Sequence, residues 1–231
     1  GMADNSVRFA TVVAGIVGAT GIALGAESSC AWNTRSDRTW SLRCWGGGAN
    51  GLLGDGVVTG WGAIPQNVVD ERGVAWPPAD TFITKMAISA VHLCAVLTRT
   101  RDAGRPTQEV WCWGNGTGGE LGVPSPLAGA YSPRHVMGVP DDATVQSIGN
   151  RYNNSAGGAS TYVIATDGRI WSWGTWAFGR PMTDPRTMSS TVTFTPTLIT
   201  ISPLAASEWI ISISEGNPTC VLTNHARVLC G

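Results

Sequence analysis

Six cysteines are the residues of this 231-residue chain whose spacing points most directly to chemistry. They fall along the chain as three pairs, Cys30/Cys44, Cys94/Cys112 and Cys220/Cys230. A zinc site is disfavoured, because the chain has no Cys-x2–4-Cys clamp and its histidines are scattered. Two interpretations stay open at this point. The pairs form disulfide bridges, or they are buried free thiols, which also pack well in cores.

Other chemical motifs occur, but each has a simpler explanation. Gly114-x-Gly116-x-x-Gly119 matches a dinucleotide-binding fingerprint. The same pattern starts at Gly46, and neither copy opens a helix, whose N-terminus a pyrophosphate site requires. The histidines have no evident nucleophile or acid partner, and adjacent acidic pairs in loops are typical of solvated turns. These residues are His92, His135, His225, Asp70-Glu71 and Asp141-Asp142. The sequence therefore predicts a protein that is not an enzyme and has no metal site and no cofactor.

Charge and hydropathy exclude several classes of protein. Lys and Arg number 15 against 16 Asp and Glu, for a net charge of −1. This balance argues against nucleic-acid binding, which needs a basic surface. Apolar residues make up 43% of the chain, too many for intrinsic disorder. The uncharged stretch at 9–24 is short for a membrane span, and the repeat register described below assigns it to strands. We therefore expect no membrane insertion.

The chain contains an internal repeat. A phrase built on Trp-Gly ends three segments, and the same phrase begins again as the chain stops. The four copies lie at 43–46, 111–114, 171–174 and 228–231. Apolar, β-branched and aromatic residues precede each copy, and the third segment turns at Asp167-Gly168, a pair that suits a type I′ turn. Each segment therefore predicts a β-hairpin.

A fixed order of features follows each complete hairpin. A Gly-rich loop comes first, then a Pro-x-x-aliphatic segment, then a short apolar strand. Proline cannot donate to a central ladder, so Pro65, Pro133 and Pro196 predict outer strands. The N-terminus fits the same register, with residues 13–16 matching an outer strand and residues 22–24 matching an inner strand.

Four strands in a unit of about 60 residues, with Trp and Gly at repeat positions, are typical of a β-propeller blade. The predicted fold class is all-β, a β-propeller or partial propeller of about four four-stranded blades. A single blade cannot bury both of its faces, so neighbouring blades must stack. We expect one repeat domain over residues 1–231. Its blades lie at approximately 22–68, 86–136, 145–199 and 210–231, with an added N-terminal strand at 7–16.

These repeats resemble the regulator of chromosome condensation family, in its bacterial-type form. The phrases that carry the resemblance are Cys-Ala-x-Leu-Thr, Asp-Gly-Arg-Ile-Trp-x-Trp-Gly, and Trp-Gly followed by Gly-x-Leu-Gly. The resemblance covers nearly the whole chain. It implies a propeller, of which this chain supplies about half the usual number of blades. It also implies protein interaction, which in different members includes guanine-nucleotide exchange, chromatin binding and β-lactamase inhibition.

The repeat register bears on the cysteines. Each pair occupies the same two repeat positions, and the third unit has Tyr162 and Ser172 there instead. A unit therefore has both cysteines or neither, as a cross-strand disulfide in each hairpin would produce. The sequence favours this interpretation over free thiols, and it predicts an extracytoplasmic or secreted protein.

The loops of a rigid scaffold are where binding usually takes place. In a four-stranded meander the connections alternate between two rims, so the Gly-rich loops share a rim with the loops that follow the inner strands. This rim gathers the predicted binding residues, Trp61, Tyr131, Tyr152, Asn153, Trp176 and Phe178. The second candidate surface is the hairpin tip on the opposite rim with Arg99, Arg101 and Arg105. The strand tryptophans, Trp45, Trp113, Trp171 and Trp173, are expected to pack between blades.

The sequence thus predicts a non-enzymatic binding module, a propeller scaffold for protein–protein interaction. Its partner is an unknown protein, and the alternative is a carbohydrate-binding propeller that uses loop aromatics. Balanced charge and paired cysteines suit neither a nuclear exchange factor nor a chromatin protein. An open propeller would also expose a hydrophobic blade face, and we then expect a homodimer.

Overall fold

The computed structural model describes residues 11–35, 40–58, 60–99, 106–124, 127–153, 158–175, 192–199, 204, 207–214 and 220–230. These residues form fifteen β-strands and a 3₁₀ turn at Ala49–Gly51. No α-helix occurs in this part of the chain, and none of its segments could cross a membrane as a helix. The predicted all-β class is confirmed.

The strands form four antiparallel sheets, each a meander in chain order, so the protein is a partial β-propeller of four blades. Blade 1 contains β1 (Gly21–Leu24), β2 (Ser28–Trp32), β3 (Leu42–Gly47) and β4 (Trp61–Asn67). Blade 2 contains β5 (Thr81–Ile88), β6 (His92–Arg99), β7 (Thr107–Asn115) and β8 (Gly129–His135). Blade 3 contains β9 (Val145–Asn153), β10 (Gly158–Ala165), β11 (Ile170–Thr175) and β12 (Val192–Leu198). Blade 4 contains β13 (Ile210–Ser214), β14 (Cys220–Thr223) and β15 (Val228–Cys230).

The first strands of the blades form the inner side of the arc. Strand β5 contacts both β1 and β9, and β9 contacts β13. Strands β4, β8 and β12 are the outermost strands of their sheets, as the prolines predicted. Burial of apolar side chains between successive blades supplies the main stabilisation.

The cysteines form three disulfides within the hairpins. Cys30 pairs with Cys44, Cys94 with Cys112 and Cys220 with Cys230, and each bridge joins residues directly opposite one another on adjacent strands. The Cα atoms are 4.1 Å apart in all three. This is the close spacing of a pair without mutual backbone hydrogen bonds. The predicted cross-strand pairing is confirmed in all three blades that carry cysteines.

Each blade has two distinct faces. The forward face carries the disulfide positions and packs against the next blade. In blade 2 the Cys94 sulfur lies 3.7 Å from the Thr161 hydroxyl of blade 3. Blade 3 has Tyr162 opposite Ser172 instead of a disulfide. The Tyr162 hydroxyl donates a hydrogen bond to the Ile213 carbonyl of blade 4, at 3.0 Å. The forward face therefore joins a blade to its successor with or without a disulfide.

The rear face carries the tryptophan of the Trp-Gly phrase and packs against the preceding blade. The Trp113 indole N–H of blade 2 donates to the Leu52 carbonyl in the Gly-rich loop of blade 1, at 3.0 Å. The Trp173 indole of blade 3 makes the equivalent bond to the Glu120 carbonyl of blade 2, at 2.9 Å. Both side chains are fully buried. The expected packing between blades is therefore observed for Trp113 and Trp173. Trp171 is also buried, whereas Trp45 on blade 1 is only half-buried.

A bulge explains why Gly follows Trp in the phrase. Residues 63–65 of β4 face a single residue of β3, and the same widening occurs at residues 131–133 and 194–196. On the inner side of each bulge the glycine has a positive φ, +98° at Gly46, +105° at Gly114 and +102° at Gly174. A Cβ on Gly114 would lie 2.6 Å from the Val91 carbonyl oxygen. Only glycine combines this backbone with this close approach.

The N-terminal segment departs in part from the prediction. Residues 11–16 form no strand, although 7–16 was predicted as one, and residues 7–10 lie outside the described part of the chain. A turn occurs at residues 14–15, and both Gly15 and Gly18 have a positive φ, which breaks an extended strand. The inner strand predicted at residues 22–24 is present as β1.

Candidate functional site

The meander places two kinds of connection on one rim of the arc, which we call the loop rim. They are the connections from the first to the second strand and from the third to the fourth strand of each blade. Trp61 begins β4 and Tyr131 is the third residue of β8, so both lie at this rim on adjacent blades. Tyr152 and Asn153 end β9 at the same rim, although their side chains lie outside the described residues. Trp176 and Phe178 also lie outside the described residues.

Trp61 and Tyr131 are exposed, by 64% and 42% respectively. The Tyr131 backbone is held by the Gly-rich loop of blade 1, because its carbonyl accepts a hydrogen bond from the Gly56 N–H at 3.0 Å. Gly51 makes room for the Tyr131 ring. Its φ is +80°, and a Cβ there would lie 2.9 Å from the Tyr131 Cα and closer still to the ring. The structure therefore fixes the base of this aromatic side chain and leaves its outer part accessible.

Three aliphatic side chains close to Trp61 in the chain are also exposed. Val57 and Val58 in the Gly-rich loop and Ile64 on β4 are each more than half exposed. Single exposed apolar residues are ordinary, but these three lie within four residues of Trp61 in the chain. We call Val57, Val58, Trp61, Ile64 and Tyr131 the apolar rim surface.

A cleft of about 460 Å³ lies beside Tyr131, between the outer parts of blades 1 and 2. Its lining comprises Asp55, Gly56, Val69, Asp70, Glu71, Gly73, Gly129, Ala130, Tyr131, Ser132 and Arg134. Glu71 and Arg134 form an ion pair across the two blades. The Asp70 carboxylate accepts hydrogen bonds from the Arg72 and Val74 backbone N–H groups, both at 2.9 Å, and thereby shapes the turn after β4. Three carboxylates and one guanidinium give the cleft a net negative charge.

His92 does not belong to this surface. Its side chain is fully buried between blades 2 and 3, with Nδ1 2.9 Å from the Ser89 hydroxyl and Nε2 2.8 Å from the Thr161 hydroxyl. Burial lowers the pKa of His92 to about 3, so the imidazole is neutral at physiological pH. Nδ1 is used within blade 2, and Nε2 joins blade 2 to blade 3. This histidine therefore has a structural role in the contact between blades 2 and 3.

Glu120 is a buried polar residue that the sequence reasoning missed. Its carboxylate accepts hydrogen bonds from the Gly118 N–H at 2.8 Å and from the Asn115 amide at 3.3 Å, and burial raises its pKa. The repeat pattern could have indicated this residue, because blade 1 has Leu52 at the same repeat position. Because blade 2 has a carboxylate where blade 1 has a leucine, the Gly-rich loops of the two blades differ at this position.

Trp76 and Arg99 do not belong to the exposed surface of the loop rim. Trp76, in the connection after β4, is buried and packs edge-on against Trp111 and Trp113, with ring centroids 5.8 and 5.5 Å away. Arg99 is bound at 2.6 Å to Asp80 and lies 3.6 Å from Glu109. Arg101 and Arg105 lie outside the described residues.

The residues that the structure describes contain no cluster of three or more His, Cys, Asp or Glu side chains that could hold a metal ion. On the loop rim the Trp61 and Tyr131 rings are exposed on adjacent blades, and Tyr131 lines the polar cleft.

Solved structures share this fold. The crystal structure of human WBSCR16 matches with a TM-score of 0.64 and 17% identity, over 92% of this chain and 47% of that one. Yeast RCC1 (Prp20) bound to Kap60 matches with a TM-score of 0.40, 13% identity, and 90% and 68% coverage. A second structure, of Prp20p from Saccharomyces cerevisiae, gives 0.42, 12%, 90% and 70%. No protein-family model and no curated protein sequence matches the chain.

The chain thus has an RCC1-like propeller fold, as its repeat phrases predicted. It spans about half the length of human WBSCR16. The TM-scores of the two yeast structures lie below 0.5, and those resemblances support no further inference.

Proposed function

We propose that the protein is a non-enzymatic binding module that presents the loop rim of blades 1 and 2 to a protein partner. The observation that carries the proposal is the apolar rim surface, in which Trp61 and Tyr131 stand exposed on adjacent blades and Tyr131 lines a cleft of about 460 Å³. Aromatic anchors surrounded by smaller apolar groups are typical of the energetic centre of protein interfaces. The predicted residues Tyr152, Asn153, Trp176 and Phe178 would extend this interface along the rim.

The use of the buried polar groups supports binding over catalysis. His92 and Thr161 are bonded to each other across the contact between blades 2 and 3, and the Glu120 carboxylate is buried and accepts hydrogen bonds from N–H groups of its own blade. A general acid or base must reach a substrate from an accessible site. Groups that hold blades together are not free for that role.

The composition of the rim favours a protein over a glycan as the partner. A sugar ring stacks on an aromatic ring, but it gains little from exposed aliphatic groups such as Val57, Val58 and Ile64. A protein partner can cover all of them. Carbohydrate binding through Trp61 and Tyr131 is the alternative.

The disulfides support a location outside the cytosol. Three bridges occur in one chain, and two of them are fully buried in the blade contacts. Such bridges form and persist in oxidising compartments. We therefore place the binding module, and its partner, in an extracytoplasmic or secreted setting.

Paired variants test the proposal. Immobilised wild-type protein, Trp61→Ala and Tyr131→Ala are exposed to the extracellular fraction of the source cells, with Val74→Ala as the control. Val74 is also more than half exposed but lies on the opposite rim. We expect one protein to be retained by wild type and Val74→Ala, and at least tenfold less of it by the rim variants.

A glycan array with the same four proteins distinguishes the alternative. Saturable binding of one glycan class by wild type and Val74→Ala, lost in Trp61→Ala, would replace the proposed protein partner with a carbohydrate. Equal retention of the same protein by all four baits would contradict a role for this rim.

A further inference from the structure

The cleft beside Tyr131 has walls from two blades. Blade 1 contributes the Gly-rich loop at Gly56 and the turn after β4, and blade 2 contributes strand β8. The Gly56 N–H donates to the Tyr131 carbonyl at 3.0 Å, and the ion pair between Glu71 and Arg134 joins the same two blades. Because these contacts connect the two walls, the cleft is preformed, which lowers the cost of binding.

Glycines leave the blade 1 wall partly free of side chains. Gly56 and Gly73 have φ angles of +83° and +77°, a backbone conformation that favours glycine. A Cβ on Gly73 would meet no heavy atom within 4 Å. The cleft volume of about 460 Å³ lies within the usual range of ligand pockets, roughly 300–1,000 Å³. The cleft therefore has room for a side chain of another molecule.

Asp70 supplies a carboxylate whose hydrogen-bonding capacity is only partly used. Its Oδ1 accepts the backbone N–H groups of Arg72 and Val74, both at 2.9 Å, and these bonds fix the side chain in place. Its Oδ2 accepts no hydrogen bond, and Asp70 forms no ion pair, among the residues that the structure describes. Asp70 is half-buried, so water screens its charge less than on an open surface. This carboxylate is suited to accept a hydrogen bond from a cation.

The charges around Asp70 select against other ligands. Asp55 and Glu71 also line the cleft, and Arg134 is the one basic residue among its described lining. An anionic ligand would be repelled by this net negative charge. A bound metal ion does not match the geometry, because no three His, Cys, Asp or Glu side chains within the described ranges lie close enough to hold one. A cationic side chain on a long stem needs no such set of ligands.

Tyr131 favours a guanidinium over an ammonium group. Its ring lines the cleft and is 42% exposed. A planar guanidinium stacks on aromatic faces and donates two parallel hydrogen bonds to one carboxylate. The lysine ammonium is a strongly hydrated point charge and does neither as well.

We propose that the cleft takes an arginine side chain of the protein partner, its guanidinium donating to the Asp70 carboxylate beside the Tyr131 ring. This inference rests on the proposed function, since it names the chemistry of that partner. Tyr131 belongs both to the apolar rim surface and to the cleft, so one partner can use both. Arginine is among the residues enriched at the energetic centres of protein interfaces.

Titration of the ¹⁵N-labelled whole chain with a small peptide, followed by NMR, tests the proposal without the partner. The probe is acetyl-Ala-Arg-Ala-amide, and its control carries citrulline, which has the shape of arginine without the charge. We expect saturable shifts of the amide signals of Gly56, Gly73 and Gly129 with the arginine peptide. The citrulline peptide should bind at least about threefold more weakly.

Two variants should change the affinity for the arginine peptide in opposite directions. Asp70→Asn keeps an oxygen for the two backbone N–H groups but removes the charge, so binding should weaken by at least about threefold. Arg134→Gln removes the cation that already lines the cleft, so binding should tighten. The control is Asp141→Asn, at an exposed turn residue outside the cleft, which should leave the affinity unchanged.

Equal affinity for the two peptides, or for wild type and Asp70→Asn, would overturn the proposal. Shifts that do not saturate, or that spare the three glycines, would do the same. These results are separate from the retention experiment with Trp61→Ala and Tyr131→Ala. Retention of a partner without peptide binding would reject the arginine and keep the rim interface. Peptide binding without rim-dependent retention would support the arginine site and reject the proposed role of the rim.

Discussion

His92 shows how a residue with chemical potential serves the fold. Its ring connects the Ser89 hydroxyl of its own blade to the Thr161 hydroxyl of blade 3, and Thr161 donates onward to the Glu120 carbonyl. The same carbonyl accepts the Trp173 indole N–H. This buried chain of hydrogen bonds joins two blades at one point. This arrangement lowers the free energy of unfolding at acid pH, where the unfolded protein takes up a proton that the buried imidazole cannot.

The acid stability of the protein should depend on His92. Its pKa is about 3 in the folded chain, against 6.5 for an ordinary histidine. Between these values the unfolded state binds more protons, so the free energy of unfolding falls as pH decreases from about 6.5, by up to about 1.4 kcal/mol per pH unit. His92→Gln removes this contribution. Urea denaturation at pH 7, 6 and 5 should show a shallower decline for the variant than for wild type.

The exposed His225 provides the control. His225→Gln should follow the wild-type pH dependence over the same range. Equal slopes for wild type and His92→Gln would show that the imidazole takes up a proton in the folded state. The contact between blades 2 and 3 at His92 would then be more accessible to water than the structure shows.

At the scale of elements, the repeat phrase encodes strand order and the bulge together. Pro65, Pro133 and Pro196 lie in the widened part of the outer strands, where no ladder hydrogen bond is required of them. The tryptophan of the phrase faces this widened part, and the glycine that follows it adopts a positive φ against a backbone carbonyl. The bulge bends the outer strand at the same place in three blades, so it is a regular structural feature of the blade.

Gly114→Ala should destabilise the protein markedly. The new Cβ would lie 2.6 Å from the Val91 carbonyl oxygen at a φ of +105°, so the backbone must shift. We expect the free energy of unfolding in urea to fall by at least about 2 kcal/mol.

Gly60→Ala is the matched substitution. No heavy atom lies within 4 Å of the added Cβ at that site. Its stability should stay within about 1 kcal/mol of wild type, with a small gain expected from lower entropy of the unfolded chain. A Gly114→Ala protein as stable as Gly60→Ala would show that the bulge tolerates a side chain.

The sequence predicted the elements that recur and missed those that do not. Hairpins, outer strands and disulfide pairs repeat in register, so each copy supported the others. Residues 11–16 lie at the edge of the repeat, where the positive φ angles of Gly15 and Gly18 determine the backbone conformation. The Leu52 and Glu120 carbonyls that receive the indole N–H groups are main-chain atoms, and no residue type marks them. The burial of Trp76 depends on how two blades meet, which the spacing within one blade does not contain.

At the scale of the whole molecule, equivalent contacts join the successive blades. Each blade places its forward face on the rear face of the next, and the loop rim, with Trp61 and Tyr131, takes its position from that stacking. The three-dimensional relation to human WBSCR16 at 17% identity shows how little of the sequence this stacking requires. Within this chain Trp-Gly recurs in blades 1 to 3 and the cysteine pairs in blades 1, 2 and 4.

Peptide mapping of the non-reduced protein tests this architecture most directly, because one digest reports the hairpin register of three blades. Trypsin cuts between the two cysteines of every pair, after Arg35, Arg99 and Arg227 among other sites. Two tryptic peptides stay linked only through a disulfide. The stacked-blade account predicts three linked pairs, Cys30 with Cys44, Cys94 with Cys112 and Cys220 with Cys230, and no others. A bridge between cysteines of different blades, or six free thiols in freshly isolated protein, would contradict it.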